Sequence, residues 1–221
     1  MSTPALPTIH EESRRPSPVA LPQALAAHGD ALWISARDQP HIYALDRASW
    51  KVTAEHEAPG VPWSAVSTGT ALAFTIGKGA EDDRYWCRFT PGSGFQKEPP
   101  VPCPDFTGSY LSHDGTHLYL SQWYRHRILE LDDHGAIVRE LPIDAEICGH
   151  TFRDGWLYVL RGTEKEGEAW TIARLDPRAE SPVIEDLGLM PFACRSLTFD
   201  GQCFWTNHRA AGEIVSFTLL A

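Results

Sequence analysis

The chain has 221 residues, 43% hydrophobic and 22% charged, enough apolar material for one sizeable buried core. Nineteen Lys and Arg against 29 Asp and Glu give a formal charge of −10 at pH 7, which excludes a general nucleic-acid binder, because such proteins need a basic surface to release phosphate counterions. No apolar run approaches the ~18 residues of a membrane span, and five cysteines without a CxxC spacing point to reduced thiols in a cytoplasmic protein rather than a disulfide framework.

Residues 1–21 contain Pro4, Pro7, Pro16 and Pro18 and lack the unbroken apolar stretch of a secretory signal. LPQALAA (21–27) carries a hint of helix too short to stand alone. A repeat then sets in. The stretches AAHGDALWIS (26–35), VSTGTALAFT (66–75), LSHDGTHLYLS (111–121), TFRDGWLYVL (151–160) and TFDGQCFWTN (198–207) each place a glycine before a β-prone run. These glycines (Gly29, Gly69, Gly115, Gly155 and Gly201) are 40, 46, 40 and 46 residues apart. The last three follow an Asp, the dipeptide of a type I′ hairpin turn. Each stretch is therefore predicted to be a two-stranded hairpin. Third runs follow at HIYALD (41–46), YWCRF (85–89), RILELD (127–132), WTIARLD (170–176) and EIVSF (213–217). A weaker fourth run comes after the first four of them: WKVTAEHE, FQKEP, AIVRELPI and PVIEDLGL.

Four antiparallel strands per unit predict an all-β, five-bladed β-propeller over residues 22–221. The blades are expected at about 22–58, 61–102, 106–143, 147–188 and 193–221. The fifth ends without an outer strand, and an open sheet edge invites aggregation. The segment around Leu6–His10 is the expected donor of that strand, followed by a linker; the competing reading of residues 1–20 is a disordered tail.

The second strands end in LWIS, LYLS and FWTN, and the third strands read IYALD, ILELD, IARLD and IVSFT. In these motifs, residues 22–217 resemble the propellers of the NHL, streptogramin-lyase and gluconolactonase group. A weaker similarity extends to the five-bladed glutamine cyclotransferases. The motifs mark a blade and not an activity. The resemblance implies that the fourth-to-first and second-to-third connections gather on one face around a central channel, where ligands bind. The gluconolactonase-like enzymes hold a divalent cation with one Glu, two Asn and one Asp. This chain has a single Asn, Asn207, so that site is absent in its usual form, and no metal or cofactor is expected.

On that face the inner strands begin at Gln23, Trp63, Ser109, Gly149 and Arg195. Every second-to-third loop carries a basic residue: Arg37, Lys78, Arg125, Arg161 and Arg209. A positive mouth on an acidic body would focus anions, and arginine forks suit carboxylate or phosphate. The competing reading is neutralisation by Asp38, Asp82, Asp83, Glu164 and Glu166. Trp63, Tyr110, Trp123 and Tyr124 offer faces for a planar ring, whereas Trp33, Trp86, Trp156, Trp170 and Trp205 are expected to wedge blades together. The expected ligand-binding set is thus Arg37, Trp63, Tyr110, Trp123, Tyr124, Arg125, Arg195, Asn207 and Arg209. His150 and His208 are the candidate proton carriers. Cys148 and Cys194 fall at matching positions of adjacent inner strands; buried thiols, a zinc site with His150 and His208, and a redox pair all stay open.

Two functions follow. The first is a monomer with one asymmetric site for a small anionic or ring-containing ligand, a lyase or hydrolase if catalytic. The second is a non-catalytic protein-interaction module. A lectin with one sugar per blade would need equivalent pockets, and the five mouth positions (Gln, Trp, Ser, Gly, Arg) are all different.

Overall fold

A computed structural model describes residues 6–78, 83–164 and 169–219. After β1 (His10–Pro16), blade 1 comprises β2 (Pro22–His28), β3 (Ala31–Ala36), β4 (His41–Asp46) and β5 (Val52–Glu57). Blade 2 comprises β6 (Val61–Ser67), β7 (Leu72–Lys78), β8 (Asp83–Thr90), β9 (Gly94–Phe95) and β10 (Val101–Pro102). Blade 3 follows with β11 (Leu111–His113), β12 (Leu118–Gln122), β13 (Arg127–Leu131) and β14 (Ile137–Pro142). Blade 4 has β15 (Glu146–Arg153), β16 (Trp156–Thr163), β17 (Ala169–Leu175) and β18 (Glu185–Met190), and blade 5 has β19 (Arg195–Phe199), β20 (Phe204–His208) and β21 (Glu213–Thr218). All pairings between these strands are antiparallel, and the fold is the expected five-bladed propeller. Among the described residues there is no α-helix, so none is long and apolar enough to cross a membrane. The stretch with the helical hint is β2, whose Pro22–Ala26 are buried by neighbouring blades.

Blade 5 is completed by β1, which pairs with β21 from His10↔Thr218 to Pro16↔Glu213. The strand lies one segment further along than Leu6–His10. Pro7–Ile9 instead runs parallel to β18 of blade 4, through Ile9 N–H to Leu189 O (3.2 Å) and Leu189 N–H to Pro7 O (2.7 Å). The N-terminal segment therefore bonds two blades. FQKEP does not form one strand either: β9 and β10 both pair with β8 and leave Pro99 and Pro100 between them, since proline has no N–H for a ladder.

Only one of the three Asp-Gly pairs makes the expected turn. Asp154 and Gly155 both have positive φ (52° and 79°) in a two-residue loop. At Gly115 and Gly201 the loops are four residues long, and only the glycine is left-handed. There Asp114 Oδ1 accepts from the backbone of Thr116 and His117, and Asp200 Oδ1 from that of Gln202 and Cys203. The aspartate makes an Asx turn instead of entering positive φ.

The core is divided among the blade seams. Trp33 packs on Phe89 between blades 1 and 2, with ring centres 4.9 Å apart. Trp86 is buried between blades 2 and 3, Trp170 between 4 and 5, and Trp205 between 5 and 1. Trp156 is only partly buried, beneath the Arg174 guanidinium. Each large apolar side chain so buried contributes roughly 1.5–3 kcal/mol. The hydroxyl of the second-strand motif has a distinct role. Ser35 and Ser121 accept from the N–H of Ala24 and Tyr110, while Thr206 donates to the carbonyls of Arg195 and Ser196. The inner strands of blades 1 and 5 slip register beside these bonds, so the hydroxyl satisfies a backbone group that the ladder misses.

Candidate functional site

Inner-strand starts and second-to-third loops do converge at one end of the channel, around a cavity of about 280 Å³. The inner strands contribute Gln23 (β2), Trp63 (β6) and Arg195 (β19), and the approach to β11 contributes Ser109 and Tyr110. The loops contribute Arg37, Trp123, Tyr124, Glu164 and Arg209; Gly108 and Arg84, near the start of β8, complete the wall.

Among the described residues, the cavity lining thus holds four arginines and one carboxylate, Glu164. Arg84 lies over the Trp63 ring (4.1 Å from Cζ to the centroid) and Arg37 lies 5.8 Å from the same ring. Arg195 is almost fully buried; it donates to Cys194 O (2.6 Å) and to Glu164 Oε1 (2.5 Å), and sits between the Trp123 and Trp170 rings at 5.6 and 5.4 Å. Arg209 donates to the amide oxygen Oε1 of Gln23. Among the described residues no carboxylate lies within ion-pairing distance of Arg209. Burial lowers its pKa below the usual arginine value, and the charges of Arg195 and Arg37 lower it further, with Tyr110 and Glu164 pulling the other way. Burial conversely raises that of the Tyr110 phenol well above the usual tyrosine range.

Of the expected set, Arg37, Trp63, Tyr110, Trp123, Tyr124, Arg195 and Arg209 line this cavity, with Tyr124 92% exposed at its rim. Arg125 is not among them: it pairs with Asp105 at 2.7 Å on the surface. Asn207 lies behind the wall, fully buried, its Nδ2 donating to Gln23 O (3.0 Å), and so holds the strand that carries Gln23. His150 and His208 line no part of it. Both ring nitrogens of His150 are engaged, with Ser112 Oγ (2.6 Å) and Tyr110 O (3.1 Å), and burial pushes its pKa down to about 4. His208 stacks on Phe192 (5.0 Å) and lies beside Arg14 and Glu213 near the closing strand. Arg161 forms a two-pronged pair with Asp186. The side chain of Lys78 and residues Asp82 and Glu166 lie outside the described residues. Among the described residues no cluster of three or more His, Cys, Asp or Glu could hold a metal ion.

Arg84 escapes a reading by loop position because it lies fifteen residues past Gly69, opposite Gly77 in the extended β7–β8 hairpin. The length of that hairpin, not the second-to-third turn itself, brings it to the mouth. Glu164 appears in the sequence as a neutralising neighbour, and the structure gives it that role for Arg195.

No family model matches the chain, and no curated protein matches it. Solved structures do. Glutaminyl cyclase of Myxococcus xanthus superposes with a TM-score of 0.73 at 14% identity, covering 98% of both chains. Regucalcin of Agrobacterium tumefaciens, a calcium-binding protein, gives 0.61 at 11%, over 97% of this chain and 96% of that one. A streptogramin B lyase gives 0.52 at 13%, over 94% and 97%. All three are β-propellers, and at these identities the likeness is one of fold.

Proposed function

We propose that the protein binds a small anion bearing a planar ring in the cavity between Arg37, Arg84, Arg195 and Arg209. The observation that carries this reading is Arg209: a half-buried guanidinium beside Arg195 and Arg37, whose side-chain partner is a neutral amide. Burying a charge without a directly paired carboxylate is costly, and a carboxylate or phosphate would supply that pairing bidentately. Trp63 and Trp123, each already under a guanidinium, supply the apolar faces for a ring, and the cavity is of a size to hold one ring and one acidic group. That the fold neighbours include a cyclase and a lyase is compatible with turnover of the ligand; binding is the part these residues support.

The test is calorimetric titration of the full chain with phenyl phosphate, benzoate and inorganic phosphate. Phenyl phosphate is expected to bind more tightly than either fragment, and more weakly as ionic strength rises. Absence of heat and of a Tm shift with all three would sink the reading. A second reading, a docking face for a protein, draws on the rim, where Tyr124 and Phe106 are 92% and 49% exposed on either side of the Arg125–Asp105 ion pair. It would be favoured if Tyr124→Ala, but not Arg209→Gln, removed binding to an isolated partner.

A further inference from the structure

The inner strands of blades 4 and 5 approach each other more closely than a side chain permits. A Cβ on Gly149 would lie 2.6 Å from the carbonyl carbon of Ser196, and Ser196 itself has φ +65°. Cys148 precedes Gly149, and Cys194 lies two residues before Ser196. The narrow seam brings their Sγ atoms to 3.5 Å, and both side chains are fully buried. Arg195 holds the backbone of this seam, its Nη1 donating to the Cys194 carbonyl at 2.6 Å.

We propose that Cys148 and Cys194 are a reversible dithiol–disulfide pair that crosslinks blades 4 and 5, with a hydroperoxide as its oxidant. The two sulfurs are already in contact, and closing from 3.5 Å to a bond of about 2.05 Å is a small side-chain movement. The oxidant is assigned by burial: an oxidant near the size of water reaches a sealed seam, whereas a bulky disulfide does not. With hydrogen peroxide, one thiol sulfur attacks a peroxide oxygen, the O–O bond breaks, and the leaving hydroxide takes up the thiol proton and departs as water, giving a sulfenic acid. The second thiol then attacks that sulfur; the S–S bond forms, the S–O bond breaks and a second water leaves. Two thiols are oxidised, one peroxide is reduced, and the two thiol protons end in the two waters. The bond would enclose most of blade 4, including β16, β17 and β18. It acts on the seam and does not depend on the identity of the cavity's ligand.

Cys203, the one cysteine that is not buried, serves as the internal control. The full chain is treated with hydrogen peroxide, alkylated and cleaved without reduction, and its linked peptides are identified by mass. The expected product is a Cys148–Cys194 link, with a Tm rise on the order of 5–15 °C that dithiothreitol reverses. Cys148→Ala and Cys194→Ala should each abolish the rise, while Cys203→Ser should keep it. If either alanine variant fails to fold, the peptide map of the unmodified chain decides. The proposal is overturned if both thiols survive a dose that fully oxidises Cys203. It is equally overturned if they oxidise to sulfinic acid without linking, or if the link forms only in unfolded chain.

Discussion

The Arg209 guanidinium donates to the Gln23 side-chain oxygen, joining the last blade to the first at the mouth of the channel. Gln23 is itself held on both sides: its Nε2 donates to Trp63 O at 3.0 Å, and its carbonyl accepts from Asn207. A neutral amide so fixed can orient a guanidinium without neutralising it. The charge stays available to a ligand.

Arg209→Gln should therefore weaken phenyl phosphate binding by roughly 10-fold to 100-fold, the range for losing a hydrogen bond to a charged group. Its Tm should hold or rise, because a partly buried charge without a carboxylate partner is removed. Arg125→Ala should leave binding unchanged, since that side chain is spent on Asp105. Calorimetry and thermal melts of the two variants check both halves; equal losses would show that only the overall charge matters.

His150 should make the protein acid-sensitive well before its carboxylates do. Its folded pKa is pushed down to about 4 from an ordinary 6.5, so between these values the unfolded chain binds a proton that the folded one refuses. Stability is full above pH 6.5 and falls as pH drops toward 4. The loss from pH 7 to pH 5 attributable to this group is about 2 kcal/mol. Urea unfolding at the two pH values measures it, and His150→Gln should flatten the difference.

Removal of residues 1–16 should lower Tm by several degrees and promote association, since it strips β1 from β21 and bares a sheet edge. It also deletes the Arg14–Glu213 ion pair and the Pro16 carbonyl that accepts from Trp50 Nε1 at 2.9 Å. Removal of residues 1–12 leaves Ser13–Pro16 paired, so its effect should be smaller. Melts with light scattering separate the two; identical behaviour would mean that β1 does not close the ring.

Gly149→Ala should cost on the order of 1–3 kcal/mol, as overpacking does, because its Cβ would meet the Ser196 backbone at 2.6 Å. Nothing lies within 4 Å of a Cβ on Gly29, whose φ is +57°, so Gly29→Ala meets only backbone strain. Denaturant midpoints should rank the two in that order.

The propeller and its blade count were legible in the chain before any folding. Strand alternation and turn glycines act over a few neighbouring residues, and their 40- and 46-residue spacing is written in the chain. The sequence also singled out seven of the residues that line the cavity, because a propeller puts inner-strand starts and second-to-third loops on one rim. Which basic side chains face inward was decided only in three dimensions. Arg125 and Arg161 turn to Asp105 and Asp186, and Arg84 arrives on a long hairpin. His150 is sealed between Ser112 and the Tyr110 carbonyl. The closing strand likewise settled on His10–Pro16, where Arg14 meets Glu213, and not on Leu6–His10. Arg125, Arg161 and Arg14 go where their counter-charges are, and those counter-charges come from other turns and other strands, brought near only by the tertiary fold.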